Sequence, residues 1–336
     1  MARHADPAAD RVVNAGTRVI ALVLTLGAGG LLAWQSDVNS RLADEAQSWL
    51  LAALVSFTVG LCALSVIVAV RSGGRRALGE VSTALRQRSL SWWTMVAGLL
   101  SAGYVVVQAG TVTTLGVAVF SLAVICGMNG GSIMADRFGA GPGLAIPITP
   151  RRVWALVLSF LAAGLAVFPY LGEESPPVLL VILVVGAGVG AAIQLAMTAR
   201  VSEVSGDSAA AAWFLFLVAA VFLLVLSLVQ GSLGADDLQL LGSTVSSSPW
   251  LLVGGLLGAA IVVINAYVVP RSGVLVFSLT LIAGQLIAAL VIDVVAGSLT
   301  DAWFVGGACV LMLLATAISA GARLPFRRAS AGTASR

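Results

Sequence analysis

Residues 27–41 read Gly-Ala-Gly-Gly-Leu-Leu-Ala-Trp-Gln-Ser-Asp-Val-Asn-Ser-Arg, and residues 186–200 read Gly-Ala-Gly-Val-Gly-Ala-Ala-Ile-Gln-Leu-Ala-Met-Thr-Ala-Arg. The opening Gly-Ala-Gly, Gln35 with Gln194, and Arg41 with Arg200 all recur at one offset, 159. Further along, Trp93 and Gly98-Leu99-Leu100 return as Trp250 and Gly255-Leu256-Leu257, now at offset 157. At that offset Gly116-Val117-Ala118-Val119-Phe120-Ser121-Leu122 matches Gly273-Val274-Leu275-Val276-Phe277-Ser278-Leu279, and Asp136 matches Asp293. Trp154 and Trp303 align the last parts more loosely. The change of offset falls in a loop, where length variation is tolerated. Chance gives a shared Gly-Ala-Gly but not this colinear set, so the chain is an internal duplication.

The duplicated unit is apolar. The chain of 336 residues is 59% hydrophobic and only 10% charged, too few charges to cover a soluble surface, so its solvent is lipid. Apolar runs fall near 18–43, 48–70, 92–110, 115–136, 152–171, 177–201, 208–230, 250–269, 273–295 and 302–322. A span takes about 20 residues, so about ten transmembrane helices fill the chain and leave no room for a sizeable soluble domain. The runs lack the alternation of barrel strands, and lipid requires every backbone polar group to be paired within the protein, so the fold is all-α.

The eighteen basic residues are all arginine. With a cytoplasmic N-terminus, every arginine except Arg41 falls on an inner segment, while the outer loops carry Asp44, Glu45, Glu173, Glu174, Asp236, Asp237 and Asp301. That positive-inside bias requires the second copy to start on the face opposite the first, as an odd number of spans per copy also does. The expected fold is therefore two inverted five-helix repeats, residues 1–172 and 173–336, with both termini cytoplasmic. Residues 17–35 resemble a signal-peptide core, but their internal copy argues that they are retained.

Soluble chemistries are poorly supported. His4, the single histidine, lies in the polar N-terminal tail, and Cys62, Cys126 and Cys309 lie inside apolar runs without metal-ligand spacing, so no cofactor, metal or enzymatic activity is expected. The basic balance comes from loop arginines, which gives no nucleic-acid surface. The glycine pairs at spacing four, such as Gly127 with Gly131 and Gly186 with Gly190, suit close helix contact and not phosphate binding.

Polar groups inside spans are costly unless paired or facing a cavity. Those recurring in both copies are Gln35 with Gln194, Asn39 with Thr198, Gln108 with Asn265, and Ser121 with Ser278. Gln35 and Asn39, and likewise Gln194 and Thr198, share a helix face at i, i+4. They are candidates to line a solute site, with ordinary helix-to-helix hydrogen bonding as the alternative. Trp34, next to Gln35, suits a cationic or aromatic solute or an interfacial belt. Arg41 and Asp293 fall at outer helix ends, Arg200 and Asp136 at inner ends, so two cross-repeat pairs are expected as alternating gates, unless each charge only anchors a helix end. Asp37 is the acid well inside the first span and the candidate for ion coupling. It is also i, i+4 from Arg41, the spacing of a local ion pair.

These residues resemble the YdcZ-like family of the drug/metabolite transporter superfamily. The resemblance rests on Gln35–Leu42 (Gln-Ser-Asp-Val-Asn-Ser-Arg-Leu), Ala53–Gly60, the Gly116–Gly139 stretch ending Asp136-Arg137-Phe138-Gly139, and Pro147–Arg152 (Pro-Ile-Thr-Pro-Arg-Arg). Members occur as five-helix proteins that pair in opposite orientations or as fused pairs, and this chain resembles the fused form over nearly its full length. The second copy departs from the pattern, with Thr198 for the asparagine and no Pro-x-Thr-Pro-Arg-Arg segment. The resemblance implies movement of small solutes.

The expected function is a secondary transporter in a bacterial cytoplasmic membrane, a monomeric fused pseudo-dimer in the lipid bilayer. It would carry a metabolite or drug-like solute, cationic ones included, with a coupling ion and by alternating access. An antiparallel two-repeat channel and a membrane scaffold without flux are the alternatives.

Overall fold

In a computed structural model, residues 7–137, 150–168, 178–272, 274–297 and 302–321 are described, and those residues are helical with short turns and no strand. The helices are α1 (Pro7–Glu45), α2 (Trp49–Val70), α3 (Gly74–Arg86), α4 (Ala97–Arg137), α5 (Pro150–Val167), α6 (Val178–Ser205), α7 (Ser208–Gln230), α8 (Ala235–Ser247), α9 (Val253–Ser272), α10 (Val274–Ala296) and α11 (Ala302–Gly321). Short 3₁₀ turns, Trp92–Val96 and Pro249–Leu252, lead into α4 and α9.

By length and composition, Trp49–Val70, Trp92–Ala135, Val178–Ser205 and Ser208–Gln230 can each cross a bilayer, and the pair Ala235–Ser247 and Pro249–Ile261, bent by 101°, can form a fifth crossing. Lipid-type exposure accompanies them: Val70 is 80% and Val229 79% exposed, a surface suited to hydrocarbon and not to water. The chain is an all-α integral membrane protein.

The 44-residue stretch Trp92–Ala135 would be about 66 Å long as one straight helix, twice the hydrocarbon thickness of about 30 Å. It is not straight. Gly116 has φ 76°, ψ 158° in the middle of α4, a conformation open essentially to glycine alone. The Tyr104 and Phe120 ring centroids lie 6.1 Å apart, whereas sixteen residues of continuous helix would separate them by about 24 Å. α4 is therefore a helical hairpin whose two limbs meet at Gly116, in agreement with the separate apolar runs 92–110 and 115–136.

Glycines let the helices approach backbone to backbone, and these contacts come in exchanged pairs. A Cβ on Gly29 of α1 would meet Leu281 O and the Gln285 N–H of α10; one on Gly188 of α6 would meet Val124 O and the Met128 N–H of α4. The second set is the first moved by the offsets 159 and 157. Likewise Gly255 lies against Ser56 O and Val59, and Gly98 against Leu215 O and Val218. Contacts of residue i with j′ and of i′ with j are what a two-fold relation between the copies produces.

Helix directions follow from the same contacts. α1 runs in the same sense as α10, since Gly284 meets Leu26 and Gly30 meets Ala288. α6 runs in the same sense as the second limb of α4, since Gly127 meets Val185 and Gly131 meets Val189. Ser36 bonds Gln108 and Ser40 bonds Thr113, so α1 follows the first limb. The limbs oppose each other, and α1 and α6 therefore run in opposite directions.

Two elements are absent from the hydropathy reading. α3 and α8 occupy the segments where the repeat changes offset. The buried face of α3 is Ala77, Val81 and Ala84, too small and too interrupted by arginine to register as an apolar run. α1 also begins earlier than the apolar run at 18, because helix continues through the polar residues from Pro7.

Candidate functional site: a polar seam at the repeat interface

α1 presents Gln35, Ser36 and Asn39 toward the first limb of α4 and toward α9. Ser36, Asn39 and Gln108 are each fully buried. The Ser36 hydroxyl donates to Leu32 O (3.0 Å), Gln108 Nε2 donates to Ser36 Oγ (2.8 Å), and Asn39 Nδ2 donates to Gln108 Oε1 (2.9 Å). The chain of bonds ends on Asn39 Oδ1, a buried acceptor without a partner.

What faces that oxygen is α9. A Cβ on Gly254 would run into Asn39 Oδ1, and one on Gly258 would lie 2.8 Å from Gln35 Nε2 and 3.5 Å from the Phe216 ring. The i, i+4 pair Gln35 and Asn39 thus lies on an i, i+4 pair of glycines from the other copy. No side chain at 254 or 258 fills the seam, and in this structure α9 closes directly on it.

The counterpart face in the second copy is built differently. Gln194 Nε2 donates to Thr198 Oγ1 (3.0 Å), and Thr198 Oγ1 donates to Gln194 O (2.8 Å), so the two satisfy each other along α6. Thr198 lines a small apolar cavity with Thr94, Ala97 and Phe214. By the repeat offset Ala97 stands where Gly254 stands in the other seam. The two half-sites share a position but not a chemistry.

Other candidates are dispersed. Trp34 is 43% exposed on the α1 surface. Ser121 is buried and accepts from Gln285 Nε2 of α10 at 3.4 Å, a bond between the copies. The side chains of Asp136, Asn265 and Ser278 lie outside the described residues.

The outer gating pair is not formed. Arg41 Nε donates to both Asp37 carboxylate oxygens (3.0 and 2.9 Å), and the Arg41 side chain is 48% exposed. Asp293, 5% exposed, grips the hairpin of α4 instead: the Val117 N–H donates to its Oδ1 (2.9 Å) and the Ala118 N–H to its Oδ2 (2.7 Å). The reason is geometric. The break at Gly116 frees the first N–H groups of the second limb, and a buried carboxylate satisfies them better than a partly solvated guanidinium with its own i, i+4 acid satisfies the carboxylate. Arg200 forms no ion pair with a described residue.

A model of the family described as "Putative inner membrane exporter, YdcZ" matches residues 20–166 and 179–318. The chain belongs to this YdcZ family. The two matched segments carry one copy of the repeat each, so this YdcZ-family protein has the two-repeat form, and the interruption at 167–178 lies at the junction between copies. It is a multi-pass protein of the inner membrane, in a family of membrane exporters and not of enzymes. No curated protein matches this YdcZ-family chain.

The residues that repeat logic misses are Ser36 and Gln285; Gly116 recurs as Gly273, but the repeat does not show its bend. Ser36 has Leu195 as its counterpart and Gln285 has Met128, so a search for polar residues present in both copies passes over them. The signal of Ser36 is a polar side chain one turn from Asn39 and Ser40; Gln285 is an isolated amide in an apolar run. Gly116 stands just after the short gap between two apolar runs.

Proposed function

We propose that the protein moves a small solute across the inner membrane by alternating access, with two five-helix repeats, 1–172 and 173–336, inserted in opposite orientations as ten spans and with both termini cytoplasmic. The arginine bias and the opposed directions of α1 and α6 support the inversion. Exchange of conformation between two such repeats turns an outward-facing seam into an inward-facing one without a new fold.

The observation that carries the reading is Asn39 Oδ1, an orphaned acceptor in a buried amide network at the contact between copies. An unsatisfied buried acceptor costs about 1–3 kcal/mol; a solute that donates a hydrogen bond to it recovers that cost when α9 withdraws. Gln35, Ser36, Asn39 and Gln108 carry no formal charge, so the seam selects by hydrogen bonding, for solutes rich in N–H or O–H groups, cationic ones included. Gln194 and Thr198 form the second half of the path.

A thermal-shift screen of the purified protein against neutral, zwitterionic and cationic metabolites tests this. At least one donor-rich solute is expected to raise Tm, and Asn39→Ala and Gln108→Leu, each still folded, are expected to abolish that rise. Gln108→Leu should also lower the unliganded Tm, since it leaves both Ser36 and Asn39 without their partner. A solute-induced rise that survives in both variants would move the site elsewhere. For a solute found this way, trans-stimulated exchange in liposomes is expected of a carrier, and high flux without it would favour a channel.

A further inference from the structure

Asp293 is a buried acid at the contact between copies that accepts from backbone groups of the opposite copy. It lies on α10, yet it holds Val117 and Ala118 at the start of the second limb of α4. A Cβ on Gly116 would sit 3.0 Å from its Oδ2, so the hairpin bend and the carboxylate fit together only because residue 116 is glycine.

We propose that Asp293 is a proton-binding site, and that taking up a proton from water releases the α4 hairpin from α10. As a carboxylate, Asp293 offers an acceptor oxygen to each N–H and a negative charge to the positive end of the second limb. As a carboxylic acid it keeps one good acceptor, and the other oxygen becomes a donor. One of the two bonds and the charge attraction are then lost together. Nothing else in the bond balance changes: the proton adds to one carboxylate oxygen and leaves by the same route.

Among the described residues, the titratable and charged groups toward Asp293 are few. On α4 the groups that face it are the two N–H groups. On α11 the nearby titratable group is Cys309, which feels the Asp293 charge. On α1 the charged residues toward that end are Asp37 and Arg41, which pair with each other, and Asp44, which hydrogen-bonds Thr113 in the same hairpin. The described side chains of α9 carry no charge.

The hairpin also carries Gln108, which holds Ser36 and Asn39. Protonation at Asp293 therefore loosens the support of the polar seam, and this last link rests on the solute site argued above. The sequence repeat sets Asp136, Gly273 and Val274 in the second copy where Asp293, Gly116 and Val117 stand.

The test needs no solute. The protein in lipid nanodiscs is titrated while the infrared carboxyl band and the amide exchange of residues 112–120, corrected for intrinsic pH dependence, are recorded together. The wild-type protein is expected to gain a protonated-carboxyl band as pH falls, with exchange of that segment rising in step. Asp293→Asn is expected to lose one carboxyl's share of the band, seen in the difference spectrum, and the pH dependence of exchange. Asp293→Glu, which keeps a titratable group on a longer arm, is expected to retain both at a displaced midpoint. A band and exchange profile unchanged from wild type in Asp293→Asn, or in Asp293→Glu should the first fail to fold, would overturn the proposal. So would a wild-type band that titrates without any change in the exchange of 112–120.

Discussion

Gly116→Ala is expected to leave little folded protein after detergent extraction, and to lower the Tm of what remains far more than Gly27→Ala does. Three costs coincide at this position. The backbone sits at φ 76°, ψ 158°, where a residue with a Cβ is strained by about 1–3 kcal/mol. The added Cβ would lie 3.0 Å from Asp293 Oδ2, tighter than ordinary contact, and both atoms belong to packed backbone or a short side chain. Relief requires the carboxylate to leave Val117 and Ala118, and hydrogen bonds to a charged group are worth about 1.5–3 kcal/mol each. The total, on the order of 4–9 kcal/mol, is comparable with the whole stability of a typical domain. Size-exclusion profiles and thermal melts of Gly116→Ala beside Gly27→Ala measure it, because a Cβ on Gly27 meets nothing within 4 Å. Equal behaviour of the two variants would show that the hairpin does not depend on that bend.

The second large effect concerns the close approaches between copies. Gly29→Leu and Gly188→Leu are each expected to destabilise by more than the 1–3 kcal/mol usual for overpacking, because the first added atom already meets backbone of the facing helix. Gly27→Leu and Gly186→Leu, two residues earlier in the same Gly-Ala-Gly, point into open space and should melt within about 0.5 kcal/mol of wild type. The prediction is a pattern: two damaging and two silent positions, matched across the repeat. Damage at Gly29 without damage at Gly188 would mean that the exchanged contacts are not equivalent.

That pattern also marks what the sequence makes legible. The repeat itself pairs Gly29 with Gly188, and about half a turn of helix separates the tolerant glycine from the intolerant one. A break in α4 is legible as the short gap, 111–114, just before Gly116. Its conformation is not, because a helical hairpin and two helices with a loop have the same hydropathy. Asp293 is legible as a repeated acid near a helix end, but its bonds to the Val117 and Ala118 N–H groups are not. Charge pairing is easy to read from side chains, whereas the N–H groups freed by a broken helix belong to the backbone and carry no letter of their own. Among the polar residues, Gln35, Asn39 and Gln108 are legible because they recur. Ser36, which holds Gln108 in place, is not, because its counterpart in the second copy is Leu195. The conversion of Thr113 and Ser40 to Pro270 and Ala199 follows the same logic. In the first copy the Thr113 N–H donates to Ser40 Oγ at 3.0 Å; proline has no N–H to satisfy, and the serine partner is gone with it.

The account as a whole depends on the two copies lying in the membrane in opposite orientations, and the sidedness of one pair of equivalent positions tests that directly. Glu45 and Val204 are exposed ends of α1 and α6, related by the repeat offset of 159. In right-side-out membrane vesicles containing a variant whose native cysteines are replaced, Glu45→Cys is expected to react with a membrane-impermeant maleimide at once. Val204→Cys is expected to react only after the vesicles are opened. Labelling of both positions from the same side of the sealed membrane would contradict the inverted repeat, and with it the route to alternating access.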